Sequence, residues 1–179
     1  MTSSDEVGTL VAQAARLVHD VPDYPLPGVV FKDITPLLAD GRTFARVVQH
    51  MVDSAPEVDL VVGMEARGFI LGAPVAVGLG VGFVPVRKEG KLPRTTIAGS
   101  YELEYGSAVL ELHADTVTPG TRVLVVDDVL ATGGTAAATV ELIEKAGGVV
   151  VGLAFLMELT FLGGRRKLVG REVDVLLTY

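Results

Sequence analysis

The sequence predicts an α/β fold in which a mostly parallel central sheet is flanked by helices. Short apolar runs typical of strands alternate along the chain with helical patterns, and such alternation favours parallel strands joined by helical crossovers. The predicted strands are 59–63, 82–87, 123–126, 149–156 and 173–177. The predicted helices are 7–18, 41–54, 68–77 and 136–143. The run at 123–126 is apolar at every position, as expected of a strand buried on both faces.

The composition is that of a compact globular protein and excludes several classes. A chain of 179 residues, with 49% hydrophobic and 21% charged residues, suits one domain covering residues 1–179. The formal net charge of −7 disfavours general nucleic-acid binding, although a local basic pocket remains compatible with it. The chain contains no cysteine, which excludes disulfides and thiol chemistry.

Membrane and secretory features are also absent from the sequence pattern. No apolar run approaches the length of about 18 residues that predicts a membrane span. The first 20 residues carry Asp5 and Glu6 and no extended apolar core, so we expect no signal peptide and predict a cytoplasmic protein.

Two segments depart from the strand and helix patterns. Residues 20–28 contain three prolines, which exclude regular helix and central strand and predict an ordered loop. Residues 87–106 are long and polar, which is typical of a functional flap; a hairpin over 101–112 with a mobile tip would fit it. Gly147-Gly148 is predicted to end the helix that precedes it.

The most informative motif joins a buried strand to a helix between residues 123 and 135. Asp127 and Asp128 follow the apolar run, at the sheet edge where α/β proteins place their ligands. Next comes a loop of small and hydroxyl residues, which suits the close approach of a phosphate at a helix entry. Its residues are Ala131, Thr132, Gly133, Gly134 and Thr135. Two carboxylates beside an anion-binding loop predict a ligand that carries a phosphate for the loop, together with hydroxyl groups or a bound metal for the acids. A sugar phosphate has both features.

The sequence does not support other nucleotide-binding or catalytic motifs. The Gly-x-Gly-x-Gly at 78–82 precedes a strand instead of following one, so it lacks the dinucleotide-binding context. No Gly-x-x-x-x-Gly-Lys-Ser/Thr sequence is present. His19, His50 and His113 are scattered, which disfavours a histidine metal site or a Ser-His-Asp triad.

The run 123–135 resembles the phosphoribosyl-pyrophosphate (PRPP) signature of the type I phosphoribosyltransferases. The resemblance implies that fold, with a small hood over residues 1–36 and a flexible catalytic flap over 87–106. It implies that Asp127 and Asp128 hold the ribose hydroxyls, that the loop 131–135 holds the 5′-phosphate, and that both acids are catalytic.

Three further stretches resemble the members of this family that act on adenine. Residues 23–36 resemble their base-recognition segment, which implies adenine binding by the ring of Phe31 and by main-chain groups at Val30 and Lys32. Many relatives carry arginine at the Lys32 position. An aromatic face gains stacking energy with any purine, while main-chain groups distinguish amino from oxo substituents.

The other two stretches concern the pyrophosphate. Residues 63–69 resemble the family's pyrophosphate loop, with Glu65-Ala66 where many members have Asp-Ser, and with Arg67 as the anion ligand. Residues 87–93 and 100–106 resemble the two ends of the catalytic flap. The resemblance assigns Arg87, Lys88 and Lys91 to pyrophosphate, in the same or a neighbouring subunit. It assigns Glu104 to N7 of the purine, as a catalytic residue that handles the proton of the attacking base.

The resemblance covers residues 23–167 and implies the transfer of the 5-phosphoribosyl group of PRPP to adenine, giving AMP and pyrophosphate. It implies Mg²⁺ bound with PRPP, near Asp127 and Asp128 without a direct protein ligand set, and a homodimer with no nucleic-acid or membrane partner. Two alternatives stay open. One is a phosphoribosyltransferase for another purine or a pyrimidine. The other is a regulator that senses PRPP, for which a basic patch or a helix-turn-helix would be expected.

Overall fold

The computed structural model describes residues 3–103 and 106–179, which form two compact units, residues 1–50 and 51–179. The prediction of one domain over residues 1–179 stays a prediction. Within the described residues no helix is long and apolar enough to cross a lipid bilayer.

The first unit contains helices and one small hairpin. Helix α1 is Ser3–Arg16, α2 is Thr35–Ala39 and α3, which begins in this unit, is Gly41–Ser54. Strands β1 (His19–Pro22) and β2 (Val30–Asp33) form a two-stranded antiparallel sheet. The prediction of an irregular loop from residue 20 was therefore wrong for its first three residues. Pro22 is tolerated because it lies at the end of a strand in a sheet that has only edges.

The second unit is built on a seven-stranded sheet in the order β5-β6-β4-β3-β7-β8-β9. Strands β3, β4, β7, β8 and β9 are parallel, whereas β5 and β6 form an antiparallel hairpin whose second strand pairs with β4. The strands are β3 (Leu60–Met64), β4 (Gly82–Lys88), β5 (Thr96–Leu103), β6 (Gly106–His113), β7 (Arg122–Leu130), β8 (Val149–Glu158) and β9 (Val173–Thr178). The predicted α/β fold with a mostly parallel sheet is confirmed.

Helices α4 (Arg67–Leu79) and α5 (Gly134–Lys145) lie on opposite faces of this sheet. Gly63 of β3 lies against α4, where a methyl group in its place would meet the Gly68 carbonyl oxygen at 2.9 Å. Its neighbours Val62 and Met64 belong to the core that contains residues of α5. Because successive strand residues face opposite sides, one helix covers each face. The helix after β7 ends as predicted, with Gly147 at a φ of 96°.

Two strand boundaries differ from prediction in ways that matter for the site. Strand β7 continues through Asp127 and Asp128 to Leu130, because β8 supplies partners as far as the Leu130–Glu158 pair. The hairpin strand β5 begins at Thr96, five residues before the predicted start, because its register with β6 extends to the Thr96–His113 pair. Residues 104 and 105, at the predicted mobile tip, lie outside the described residues.

Candidate active site

The sheet topology brings the pyrophosphate-loop and phosphate-loop segments to the same edge. Strand β3 pairs with β4 on one side and with β7 on the other, so the chain reverses its direction of progress through the sheet between β3 and β7. Ligands of open α/β sheets bind outside the carboxyl ends of the strands at such a reversal. The segments that leave β3 and β7 here are 65–67 and 131–135.

Asp127 and Asp128 are adjacent carboxyl groups with little access to water. Asp127 is half-buried and Asp128 is 3% exposed. The main-chain N–H of Asp128 donates a 2.9 Å hydrogen bond to Asp127 Oδ1. Burial, and then the neighbouring Asp128, raise the pKa of the Asp127 carboxyl well above its usual range. Burial also raises the pKa of Asp128, although the positive charge of Arg67 opposes that rise.

Arg67 is the cation that faces this pair. It is the first residue of α4, and its Nε lies 2.9 Å from Asp128 Oδ2. The contact is an ion pair and not an aligned hydrogen bond, since Asp128 Oδ2 accepts no hydrogen bond from the described residues. The side chain of Arg67 is 33% exposed, so part of the guanidinium remains open to an anion.

Gly68 sets the distance between α4 and the acidic pair. A methyl group on Gly68 would lie 2.7 Å from the Val126 carbonyl oxygen and 2.9 Å from Asp127 Oδ1. Only glycine therefore allows the helix entry and the carboxylate to approach this closely.

The phosphate loop has the geometry of an anion site at a helix N-terminus. Gly133 is the N-cap of α5 and has a φ of 75°, which favours glycine. No side chain of the described residues caps this helix end, and the first three residues of α5 line a small pocket of about 160 Å³. The lining of the pocket includes Asp127 and all five predicted loop residues: Ala131, Thr132, Gly133, Gly134 and Thr135.

The carboxylate of Glu65, a residue of the predicted pyrophosphate loop, has partners within the protein. Arg87 Nε and the Lys88 main-chain N–H each donate a 3.1 Å hydrogen bond to Glu65 Oε2. Burial opposes ionisation of Glu65, but the bonds from Lys88 and Arg87 outweigh it and hold the pKa of this carboxyl below its usual range. Ala66, between Glu65 and Arg67, is exposed.

The three side chains of the flap that are predicted to bind pyrophosphate differ in how they are held in the protein. Arg87 donates from Nη1 to the Lys91 carbonyl oxygen at 3.2 Å and lies 6.0 Å from the centre of the Phe69 ring. Lys88 and Lys91 are both exposed. Arg87 is thus fixed by Glu65, whereas the ammonium groups of the two lysines extend from an exposed turn.

The predicted adenine-binding residues lie on the hairpin of the first unit. Phe31 is half-buried and meets Tyr24 edge to face, with ring centres 5.2 Å apart. Val30 and Lys32 are two residues apart on β2, so their main-chain groups point to the same strand edge. The ammonium of Lys32 is 2.6 Å from Asp20 Oδ1, opposite it in the hairpin.

Glu104, the predicted proton-handling residue, lies outside the described residues. No group of three or more His, Cys, Asp or Glu side chains suited to a metal occurs in the described part of the chain. The acidic pair still offers carboxylate oxygens, which suit a hard cation whose other ligands are substrate and water.

Two contributors were missed by the sequence reasoning. Gly164 packs directly against the phosphate loop, and Glu158 with Arg165 forms an ion pair beside it. Gly163-Gly164 followed by basic residues is visible in the sequence, but nothing local indicates that it contacts residues more than thirty positions earlier.

Comparison with known proteins agrees with this geometry. The family model described as phosphoribosyl transferase domain matches residues 38–174. The chain is 58% identical over 177 residues to the adenine phosphoribosyltransferase of Thermobifida fusca, covering 98% of this chain and 99% of the relative. It is 60% identical over 167 residues to that of Streptomyces coelicolor, covering 90% and 92% of the two chains.

Solved structures give the same result. The adenine phosphoribosyltransferase of Thermoanaerobacter pseudethanolicus superposes with a TM-score of 0.92 at 47% identity, covering 94% of this chain and 99% of the other. The enzyme from Saccharomyces cerevisiae, complexed with an imino-altritol bisphosphate and adenine, gives 0.89 at 38% identity, covering 95% and 99%. The chain therefore belongs to the phosphoribosyl transferase family and, within it, to the adenine phosphoribosyltransferases.

Proposed function

We propose that this chain transfers the 5-phosphoribosyl group of PRPP to adenine at the pocket lined by Asp127 and the loop 131–135, with Asp128 next to Asp127, giving AMP and pyrophosphate. The observation that carries the proposal is the adjacent carboxyl pair, with Asp128 buried and Asp127 lining the pocket at the N-terminus of α5, which no side chain of the described residues caps. This arrangement suits a ligand that offers hydroxyls to the acids and a phosphate to the loop.

The acidic pair acts on the ribose. The bond between C1 and the pyrophosphate oxygen breaks with its electron pair on pyrophosphate, and a purine nitrogen supplies the pair for the new C1–N bond. C1 becomes electron-poor between these events. Carboxylates that accept hydrogen bonds from the ribose hydroxyls lie in a site of low polarity, where they stabilise that positive charge more strongly than they would in water.

The cations act on the departing pyrophosphate. Arg67 lies at the end of α4 beside Asp128 and presents a planar donor to phosphate oxygens. Arg87, Lys88 and Lys91 add positive charge from the adjacent turn. Glu65 serves this group indirectly, because its carboxylate orients Arg87 through the 3.1 Å hydrogen bond. Mg²⁺ bound with PRPP, near Asp127 and Asp128, supplies further neutralisation of the pyrophosphate charge.

The base contacts come from the hairpin of the first unit. Phe31 stacks on adenine, and main-chain groups of Val30 and Lys32 bond its edge. Lys32 contributes through its main chain because its side chain is held by Asp20. The base loses one proton as it joins C1, and Glu104 takes that proton at N7. Closure of the flap over residues 87–106 excludes water, which would otherwise hydrolyse PRPP.

The enzyme works as a homodimer, with α4 as a contact surface. No charged residue occurs between Gly68 and Gly80, and the outer side chains Ile70 and Val77 are 44% and 80% exposed. A helix that is apolar on every side normally lies against a partner. Sedimentation velocity tests this: the dimer should dissociate in Val77→Glu, and an unchanged dimer would exclude α4 from the interface.

The activity is tested by incubating the protein with PRPP, Mg²⁺ and one of adenine, hypoxanthine, guanine or xanthine, followed by detection of the nucleotide. We expect AMP from adenine and little product from the other bases. A preference for another purine would overturn the assignment of the base. PRPP binding without any product would favour the regulatory alternative.

A second arm tests the ribose contacts. The double variant Asp127→Asn with Asp128→Asn should lose turnover by several orders of magnitude while remaining folded. Asp115→Asn is the matched control, because it removes one exposed carboxylate that pairs with Arg94 away from the pocket. Near-normal rates in the purified double variant would exclude the proposed role of the acids.

A further inference from the structure

The phosphate loop is in direct contact with a distant turn of the chain. A methyl group on Gly164 would lie 2.1 Å from the Ala131 carbonyl oxygen and 2.8 Å from the Gly133 main-chain nitrogen. A methyl group on Gly133 would in turn lie 2.3 Å from the Gly164 carbonyl oxygen. The two backbones touch with no space for a side chain on either. The position of Gly164 therefore limits where the phosphate loop can lie.

The residue after Gly164 is fixed by an ion pair with a buried carboxylate. Arg165 donates from Nη2 and Nε to Glu158 Oε2 at 2.7 and 3.1 Å, and its Nη1 donates to the Val173 carbonyl oxygen at 3.1 Å. The Glu158 side chain is 8% exposed. Glu158 ends β8 directly opposite Leu130, the last residue of β7 before the loop. The ion pair thus links the end of β8, which lies beside the end of β7, to the turn at Gly164 that packs on the phosphate loop.

We propose that Glu158 and Arg165 are positioning residues that set the geometry of the phosphate loop through Gly164, and with it the affinity for the 5′-phosphate of PRPP and AMP. The inference rests on the proposed function of loop 131–135. Neither side chain needs to touch the substrate. A positioning role predicts an effect on phosphate-bearing ligands that is much larger than the effect on adenine.

A second ion pair provides the comparison. Arg171 donates from Nη1 and Nη2 to the two carboxylate oxygens of Glu144 at 2.6 and 3.0 Å, so it is also held by more than one hydrogen bond to a glutamate. Glu144 lies at the carboxyl end of α5, roughly 15 Å from the loop by the rise of a helix. Loss of this pair removes a similar contact without reaching the phosphate loop.

The experiment compares three variants with the wild-type chain. Gly164→Ala adds the methyl group that the Ala131 carbonyl oxygen excludes. Glu158→Gln removes the negative charge, and the protein tolerates the unpaired Arg165 because that side chain is partly solvated. Removal of Arg165 is a poorer test, because it would leave the buried Glu158 carboxylate unpaired. Glu144→Gln is the matched control. Each is measured for KM of PRPP, KM of adenine, kcat and melting temperature, and for ribose 5-phosphate affinity by calorimetry.

We expect Gly164→Ala and Glu158→Gln to raise KM for PRPP and Kd for ribose 5-phosphate at least tenfold, with KM for adenine within twofold. Glu144→Gln should leave all three within twofold. A folded Gly164→Ala or Glu158→Gln with normal ribose 5-phosphate affinity would overturn the inference. So would equal losses for both substrates.

The other outcomes are also decisive. If Gly164→Ala does not fold, Glu158→Gln decides by the same criteria. If the wild-type chain binds ribose 5-phosphate but forms no AMP, the proposed function fails, and the calorimetric comparison alone decides whether the pair positions the loop.

Discussion

Gly68→Ala offers the sharpest test of how α4 and the acidic pair are fitted together. The added methyl group would lie 2.7 Å from the Val126 carbonyl oxygen and 2.9 Å from Asp127 Oδ1. Neither atom can move freely, because Val126 lies in β7, which is paired with β3 on one side and β8 on the other, and Asp127 accepts the Asp128 N–H. The helix entry must therefore move away from β7, and it carries Arg67 with it.

The expected losses of stability and activity in Gly68→Ala can be estimated from these distances. Carbon–oxygen contacts normally begin at about 3.3 Å, so the helix entry or the carboxylate must give way by roughly 0.6 Å. Overpacking of this kind costs about 1–3 kcal/mol. In a chain of this size that lowers the melting temperature by about 2–12 °C. Since a misplacement of about 1 Å near reacting groups costs on the order of 100-fold, we expect kcat/KM to fall about tenfold.

The assay is steady-state AMP formation together with thermal unfolding, and Gly72→Ala is the control. Gly72 lies one turn further along the same helix, where a methyl group would meet the Phe83 ring at 2.9 Å and no part of β7 within 3.6 Å. We expect Gly72→Ala to lose stability but to keep kcat/KM within twofold. A folded Gly68→Ala with the activity of the wild type would refute the claim that this contact sets the distance between α4, with Arg67, and the acidic pair.

Three further predictions concern single side chains. Asp127→Asn should raise the melting temperature at pH 7 while lowering turnover. Burial raises the folded-state pKa of Asp127 above its ordinary value of 3.8, so the folded state keeps a proton that the unfolded state loses. The stability of the wild type therefore falls as the pH rises from the unfolded-state pKa through the folded-state pKa, whereas the amide variant has no such loss. A melting temperature that responds to pH identically in Asp127→Asn and the wild type would contradict this. Phe31→Ala should raise KM for adenine about tenfold, since base stacking contributes about 1–3 kcal/mol, with little change for PRPP; equal losses would indicate a structural ring. Glu65→Gln should weaken inhibition by pyrophosphate about tenfold, because a charge-assisted hydrogen bond to Arg87 contributes about 1.5–3 kcal/mol; tighter inhibition would mean that Glu65 repels pyrophosphate directly.

The parallel sheet and the phosphate loop were predictable because their signals are local. The apolar run before Asp127 is typical of a strand buried on both faces, and Gly133 stands where a positive φ is required at the helix entry. Family resemblance then added predictions that periodicity cannot supply, such as the stacking of Phe31 on a base, which stays a prediction.

The parts that escaped prediction depend on partners far away in the sequence. Strand β7 passes through the acids only because β8 extends to Glu158. The contact of Gly164 with the phosphate loop joins segments more than thirty residues apart. The carboxylate of Glu65 takes Arg87, 22 positions later, as its partner, which no spacing rule would indicate.

The positive charge of Arg67 neutralises the acidic pair only in part, and this property supports the role that we propose for the pair in the reaction. Two neighbouring carboxyl groups lie in a poorly hydrated site with Arg67 placed against one of them, and the pKa of Asp127 is raised by burial and by Asp128. Full ionisation of both therefore costs free energy until another positive charge arrives. In the proposed reaction, Mg²⁺ bound with PRPP would supply part of that charge before C1 reacts, and the ribose would supply more as C1 loses pyrophosphate, so the pair would stabilise the transition state more than the bound substrate. Selective stabilisation of this kind raises turnover, whereas equal stabilisation of both states would only tighten binding.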